Sequence, residues 1–128
     1  MPIFHAWSLA SGSAGNAVAV ECAEGVVLVD ISVSAARIAA SLDLEHKPDR
    51  LRAAIITHDH RDHIAGARVL AKRWRVPIYL SAGTHRAAYD ALGDLPGYRY
   101  FRPGDIFDIA GFRVVRFPPP MTSLSRQQ

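Results

Sequence analysis

The chain contains 128 residues, a length typical of one domain. Its residues are 49% hydrophobic and 21% charged, the balance of a soluble globular protein with a core. Fifteen Lys and Arg against twelve Asp and Glu leave a net charge of +3, which permits an anionic partner but is weak evidence for one. The single cysteine, Cys22, excludes an internal disulfide and favours a reducing cytoplasm. With no signal-peptide pattern at the N-terminus and no apolar run near ~20 residues, we expect neither a secretion signal nor a membrane span.

The part of the chain before residue 58 predicts a strand meander, a helix and a buried strand. The meander is predicted by three short apolar or β-rich runs, with a Gly/Ser-rich turn at 11–16 between the first two. The runs are 3–10, 17–21 and 26–30. Ser34 can cap a helix that extends through Leu42, since Ile38 and Leu42 lie four residues apart on one face. Residues 51–57 are apolar with little alternation, which predicts a strand buried on both faces.

After residue 63, apolar residues at helical spacing predict a helix: Ile64, Ala67, Leu70, Ala71 and Trp74. The sequence then predicts a strand at 76–80, a short helix at 84–92, and a hairpin of 106–109 and 112–117. Interleaved strands and helices predict an α/β fold with a mixed sheet, in one domain covering residues 1–117. Residues 118–128 begin with three prolines and show no periodic pattern, so we expect a disordered or divergent tail.

The most informative stretch is Thr57-His58-Asp59-His60-Arg61-Asp62-His63, which lies between the buried strand and the next helix. In an extended segment alternate side chains share a side, so His58, His60 and Asp62 can converge. His63 follows where the chain turns into a helix. Imidazole nitrogens and carboxylate oxygens both bind zinc-like ions at about 2.0–2.2 Å, so the pattern predicts a metal site, and even a two-metal site. The alternatives are a solvated charged loop and, for Asp62, a helix-capping role.

Together with Gly66, this stretch resembles the T-H-x-H-x-D-H-x-x-G signature of the metallo-β-lactamase-fold hydrolases. Other stretches are similar to the YycJ/WalJ-like branch of that superfamily: 8–16, 27–30, 76–79 and the hairpin from 103 to 112. The resemblance covers about residues 3–117. It implies an αββα metallo-β-lactamase-type sandwich of which only the N-terminal half is present, with a mixed sheet and flanking helices.

The resemblance further implies a metal-dependent hydrolase that uses a metal-activated hydroxide. For this branch it implies phosphodiester hydrolysis of the 5′-to-3′ exonuclease kind, with nucleic acid or another phosphodiester as substrate. His58 and His60 would bind a first ion, and Asp62 and His63 a second, with Asp62 also the catalytic residue. The cofactor would be a divalent metal, usually zinc but in some relatives manganese or iron, with up to two ions in a complete fold.

Two residues outside the histidine run are implied as supports of the ligand loop. Asp30, at the end of its strand, resembles the first-motif aspartate of the family, although a plain turn residue at a strand end is an equal alternative. Asn16 would face the site from the 11–16 loop. That loop could bind phosphate through backbone N–H groups, but it opens no helix, so a tight turn is the favoured interpretation.

The family takes three more ligands, two histidines and an aspartate, from the second half of its fold. Here Arg116-Phe117 is followed by PPPMTSLSRQQ, which contains neither residue type, and the other three histidines match no ligand position. We therefore expect a truncated or frame-shifted chain, and the alternative function is a catalytically inactive remnant that retains the motif. Half a sandwich would also leave apolar faces uncovered, which favours a homodimer.

Overall fold

The computed structural model describes residues 5–9, 17–31, 33–57, 64–102, 104–116 and 122–126. Within these residues the chain forms nine strands, β1 (His5–Ser8), β2 (Val18–Cys22), β3 (Gly25–Val29), β4 (Leu51–Ile55), β5 (Ile78–Leu80), β6 (Tyr98–Tyr100), β7 (Ile106–Ile109), β8 (Phe112–Arg116) and β9 (Thr122–Arg126). It also forms four helices, α1 (Ala35–Leu42), α2 (Ala65–Arg73), α3 (Ala82–Ala87) and α4 (Tyr89–Leu92).

The first sheet is mixed, as the sequence predicts. Its six strands lie in the order β1-β2-β3-β4-β5-β6, with β1, β2 and β3 antiparallel and β3 to β6 parallel. Helical crossovers between parallel strands bring the carboxyl ends of β3, β4, β5 and β6 to one edge of the sheet. This edge is called the carboxyl edge below.

Two apolar clusters cover opposite faces of the first sheet. On one face, sheet residues such as Leu28 and Ile78 pack with helix residues such as Ile38 and Leu70. On the other face, β3 and β4 pack on the three-stranded antiparallel sheet β7-β8-β9, where Phe112 lies almost wholly buried. Because both faces are covered, β4 is apolar without regular alternation, and the prediction of a strand buried on both faces is confirmed.

Local sequence signals fix the ends of helix α1. The Ser34 hydroxyl accepts a hydrogen bond from the Arg37 N–H at 3.2 Å, so the predicted cap forms. Asp43 ends the helix with φ of 55°, and its N–H reaches the carbonyls of Ala39 and Ala40. The buried residues of α1 include the predicted pair Ile38 and Leu42.

Three details differ from the sequence-based predictions. Strand β6 was not predicted, because three residues are too few for a periodic signal. The predicted helix at 84–92 is two helices, which are separated at Ala88, where φ is −111°. Thr122–Arg126, in the part expected to be a disordered or divergent tail, forms a strand that pairs with β8 from Arg116↔Thr122 to Phe112↔Arg126. Backbone hydrogen bonds to a neighbouring strand order this segment despite its weak side-chain pattern. The domain limit at residue 117 stays a prediction.

None of the helices in the described ranges is suited to crossing a bilayer. The longest of them, α2, has nine residues, whereas a membrane span needs about 20.

Candidate metal centre

The carboxylate of Asp30 joins the carboxyl ends of β3 and β4. The Thr57 N–H donates to Asp30 Oδ1 at 2.8 Å, and the Thr57 hydroxyl lies 2.8 Å from Oδ1 and 2.7 Å from Oδ2. The Asp30 N–H donates in turn to the Ile55 carbonyl at 2.7 Å. Asp30 is only 5% exposed, so these donors satisfy a carboxylate that is largely removed from water.

The backbone of Asp30 adopts φ of 62°, in the left-handed region. Aspartate and asparagine are among the few residues other than glycine that occupy this region at modest cost. The turn directs the side chain across the end of the neighbouring strand β4, onto Thr57. Thr57, the first residue of the predicted ligand stretch, is thereby held in place.

A second contact holds the chain where that stretch ends. Helix α2 crosses close to the segment after β3, and a Cβ added at Gly66 would meet the Ile31 side chain at 3.2 Å and the Ala35 nitrogen at 3.3 Å. Gly66 therefore permits a close approach that a larger residue would widen. Residues 30–35 thus contact the chain both before and after the histidine-rich stretch.

The predicted ligands themselves, His58, His60, Asp62 and His63, lie outside the described residues, and so does Asn16. Their roles stay predictions. Across the described ranges, no three His, Cys, Asp or Glu side chains are grouped so that they could hold a metal ion.

One alternative role can be compared with the geometry. A plain turn at Asp30 would need only its backbone conformation, whereas both carboxylate oxygens contact Thr57. The carboxylate therefore holds Thr57, the residue that precedes the predicted ligands.

Sequence reasoning missed a second polar cluster, which lies beside the edge strand β6 and is built around the buried His85 of α3. Its Nε2 lies 2.7 Å from the Gly93 carbonyl, and its Nδ1 contacts the Tyr100 hydroxyl. The Tyr98 ring packs edge-on at 5.1 Å, and burial raises the pKa of Tyr98 to about 12. Only the spacing Tyr98-x-Tyr100 hinted at this cluster, because its members are contributed by separate elements.

The edge of the first sheet that is opposite the carboxyl edge carries charged pairs. Arg50, before β4, bonds Glu21 of β2 through Nε and Nη2 at 3.3 and 3.1 Å, and its Nη1 donates to the Leu42 carbonyl at 3.1 Å. On the surface nearby, a hydrogen bond between His46 and Asp43 raises the pKa of His46 and lowers that of Asp43. His46 and Asp43 are too far from Thr57 in the fold to take part in the candidate centre.

Comparison with protein families gives a match over most of the chain. A family model described as the metallo-beta-lactamase superfamily matches residues 10–123. An exodeoxyribonuclease WalJ from Streptococcus pneumoniae (strain D39) is 40% identical over 80 residues, which cover 62% of this chain and 30% of that protein. An exodeoxyribonuclease YycJ from Bacillus anthracis is 33% identical over 116 residues, or 88% of this chain and 44% of that protein. The chain thus spans less than half the length of these relatives.

Solved structures with the same fold are more distant in sequence. BLEG-1, a B3 metallo-β-lactamase, superposes with a TM-score of 0.70 at 19% identity, over 95% of this chain and 67% of that one. TTHA1623, solved in a di-iron-bound form, gives a TM-score of 0.68 at 23% identity, over 94% of this chain and 66% of that one. At these identities the likeness is one of fold, and it agrees with the predicted α/β sandwich.

Proposed function

Because the chain belongs to the metallo-β-lactamase superfamily, we propose that it acts in metal-dependent, nuclease-like hydrolysis of phosphodiesters. The WalJ and YycJ relatives support this substrate class, since both are exodeoxyribonucleases. Nucleic acid is then the substrate, and the cytoplasm is the compartment in which this chemistry and a lone cysteine are both expected.

The observation that carries the proposal is the anchoring of Thr57 by Asp30. A buried carboxylate, held in a left-handed turn, fixes the residue that directly precedes His58. Gly66 lets α2 approach the same segment on the far side of the stretch. Chemistry built on side chains needs such fixed supports, because ligands must be oriented before the ion arrives.

The donor set between these supports fits a divalent metal. We assign His58 and His60 to one ion and Asp62 and His63 to a second, with Asp62 also close to the reacting group. A bound divalent ion would polarise the phosphodiester and lower the pKa of a coordinated water. Asp30 and Asn16 would hold the ligand loop from beside it.

Zinc is the proposed metal, because imidazole and carboxylate together suit it. Iron and manganese are the alternatives, and the di-iron form of TTHA1623 supports iron. A donor set of three histidines and one aspartate cannot separate these metals by type alone.

A second candidate function is metal binding without turnover. It concerns the 128 residues by themselves, which cover 30% and 44% of the length of these relatives. In this state the protein would bind a metal weakly, and its sandwich could be completed by a second copy.

The test is zinc titration of the purified chain by calorimetry, followed by hydrolysis of labelled single-stranded DNA. We expect His60→Ala to weaken zinc binding at least about tenfold, since even residues that only support ligands cost 10- to 100-fold when changed. The control is His46→Ala, which removes a histidine that is 82% exposed and distant from the site, and should leave zinc affinity unchanged.

Zinc binding with DNA hydrolysis would support the enzyme. Zinc binding that needs His60 but gives no hydrolysis would support the second function. Equal zinc affinity in the wild type and in His60→Ala would exclude both candidate functions. Light scattering on the same samples measures whether the chain forms a dimer.

A further inference from the structure

Two exposed tyrosines pack against one buried histidine beside the edge strand β6. Tyr89 is 49% exposed, and Tyr100, the last residue of β6, is 58% exposed. Their ring centroids lie 5.7 and 5.6 Å from the ring of the buried His85. They therefore flank one fixed ring and present aromatic surface to solvent.

Hydrogen bonds hold both rings at their hydroxyl ends. The Tyr89 hydroxyl donates to Asp94 Oδ2 at 2.7 Å. His85 Nε2 faces the Gly93 carbonyl, which can only accept, and His85 Nδ1 contacts the Tyr100 hydroxyl. Rings that are already ordered lose little conformational entropy when a flat partner stacks on them.

The position of this pair relates it to the candidate metal centre. Tyr100 is the last residue of β6 and pairs with Leu80 at the end of β5, and the Tyr79 carbonyl accepts from the N–H of Ile56, next to Thr57. Neighbouring strands lie about 4.8 Å apart, so β6 is roughly 10 Å from β4 along this edge. A strand of a few nucleotides is long enough to reach from one to the other.

Charge around the pair is mixed and does not attract a polyanion strongly by itself. Exposed Arg86 and Arg102 flank the tyrosines, but Asp90 and Asp94 lie beside them. Affinity at this surface would therefore come from the ring faces, with Arg102, two residues beyond Tyr100, placed to meet a phosphate. Aromatic stacking accepts every base, which suits binding without sequence preference.

We propose that Tyr89 and Tyr100 form a stacking surface for the bases of single-stranded DNA, beside the carboxyl edge from which the strand reaches the candidate metal centre. The inference rests on the proposed nuclease-like function and adds to it a binding site for the substrate strand. It assigns the surface to nucleobases, and a protein partner or a second copy of the chain is an outcome that the test separates.

The test measures fluorescence anisotropy of a short labelled oligothymidylate with the full chain in excess chelator, so that neither metal binding nor hydrolysis enters. We expect Tyr89→Ala and Tyr100→Ala each to weaken binding about fivefold or more, the scale of one lost base stack. Tyr100→Phe retains the ring but loses the hydroxyl bond that orders it, so it should bind more weakly than the wild type and more tightly than Tyr100→Ala. Arg102→Gln should reduce the slope of affinity against salt, whereas the tyrosine variants should leave that slope unchanged.

Two controls separate stacking from other causes. Ile106→Ala removes a side chain that is 63% exposed on the second sheet and should have no effect. An abasic strand of equal length presents the same phosphates without bases, and it should bind the wild type more weakly than oligothymidylate binds either alanine variant, because it loses both stacks. Circular dichroism checks that each variant is folded. Tyr89→Ala loses only an exposed hydrogen bond, so it still tests the proposal if Tyr100→Ala does not fold.

The proposal is overturned if the wild type does not bind, if folded alanine variants bind like the wild type, or if the abasic strand binds equally well. A mass by light scattering that falls in the tyrosine variants would assign the surface to self-association instead. Since metal is absent throughout, a failure of zinc binding or hydrolysis leaves this result intact.

Discussion

The two ends of the β3–β4 pair are closed by different kinds of contact. At the carboxyl edge, Asp30 accepts hydrogen bonds from the neutral N–H and hydroxyl of Thr57, 27 positions away in the chain. At the opposite edge, Glu21 pairs with the charged Arg50, 29 positions away. In the first contact Asp30 is 5% exposed and Thr57 is half-buried, whereas in the second the Arg50 and Glu21 side chains are 25% and 31% exposed.

This difference shows which of the two contacts the fold depends on. A partly exposed ion pair is screened by water and can be re-hydrated when it is broken, so it stabilises only weakly. Water has little access to a buried carboxylate. When one partner of its hydrogen bonds is removed, solvent therefore does not compensate for the loss. The more demanding contact lies at the edge that carries the histidine-rich stretch.

The largest expected effect follows from removing the carboxylate with Asp30→Gly. Glycine accepts the positive φ, so a residue that serves only as a turn could be replaced without loss. We expect the free energy of unfolding to fall by about 2 kcal/mol, because the N–H and hydroxyl of Thr57 lose their acceptor. Urea denaturation measures this change, and zinc affinity should fall with it by about tenfold.

Asp30→Asn is the matched control for that variant. Its side-chain oxygen can still accept from the Thr57 N–H and its backbone tolerates the left-handed region, so the loss should be about 1 kcal/mol or less. A neutral or stabilising Asp30→Gly would contradict the positioning role.

A smaller effect is expected at the opposite edge. Glu21→Gln removes one charge of a partly exposed pair and should lower the free energy of unfolding by at most about 1 kcal/mol. Arg50→Met should lower it more, because it also leaves the Leu42 carbonyl without the guanidinium. Urea denaturation at low and high salt measures both, and the Glu21→Gln effect should shrink as salt rises. If Glu21→Gln cost as much as Asp30→Gly, the contrast between the edges would be refuted.

The smallest effect concerns the pH dependence of the exposed His46–Asp43 pair. The raised pKa of His46 gives a stabilisation that is complete below its unfolded value and is lost as pH rises through the folded value. The lowered pKa of Asp43 gives one that is present above its unfolded value and is lost as pH falls through the folded value. The pair therefore stabilises the fold mainly between the ordinary Asp and His ranges.

Titration of His46 by NMR tests this pair directly. Asp43→Asn should return the pKa of His46 toward its ordinary value of 6.5, because the hydrogen bond to Asp43 is the largest cause of the shift. Glu45→Gln, which removes a more weakly coupled charge, should shift that pKa less. Equal shifts in the two variants would contradict the assigned cause.

Much of the fold could be predicted from local sequence. The Ser34 cap and the spacing of Ile38 and Leu42 predict α1 because caps and apolar stripes act within one helix. Residues 106–109 and 112–117 predict a hairpin because two β-rich runs flank the short break Ala110-Gly111, and in the structure both residues of the break have positive φ, 50° and 85°. Strand β9 could not be predicted this way, since its order depends on pairing with β8.

The candidate site likewise combines features that the sequence predicts with features that it does not. The residue types from His58 to His63 predict metal binding because ligand chemistry is a property of the side chains themselves. The sequence left two equal roles for Asp30, and it gave no sign that His85 would gather Tyr89 and Tyr100. Both arrangements join residues from different elements.

The sequence by itself determined the α/β class, the buried character of β4 and the presence of a metal-binding pattern, because these follow from propensity, periodicity and side-chain chemistry along one segment. Only the tertiary structure decided that Asp30 holds Thr57 and that two exposed tyrosines flank the buried His85. Such contacts depend on strand order and register, which arise when distant segments bury a common core.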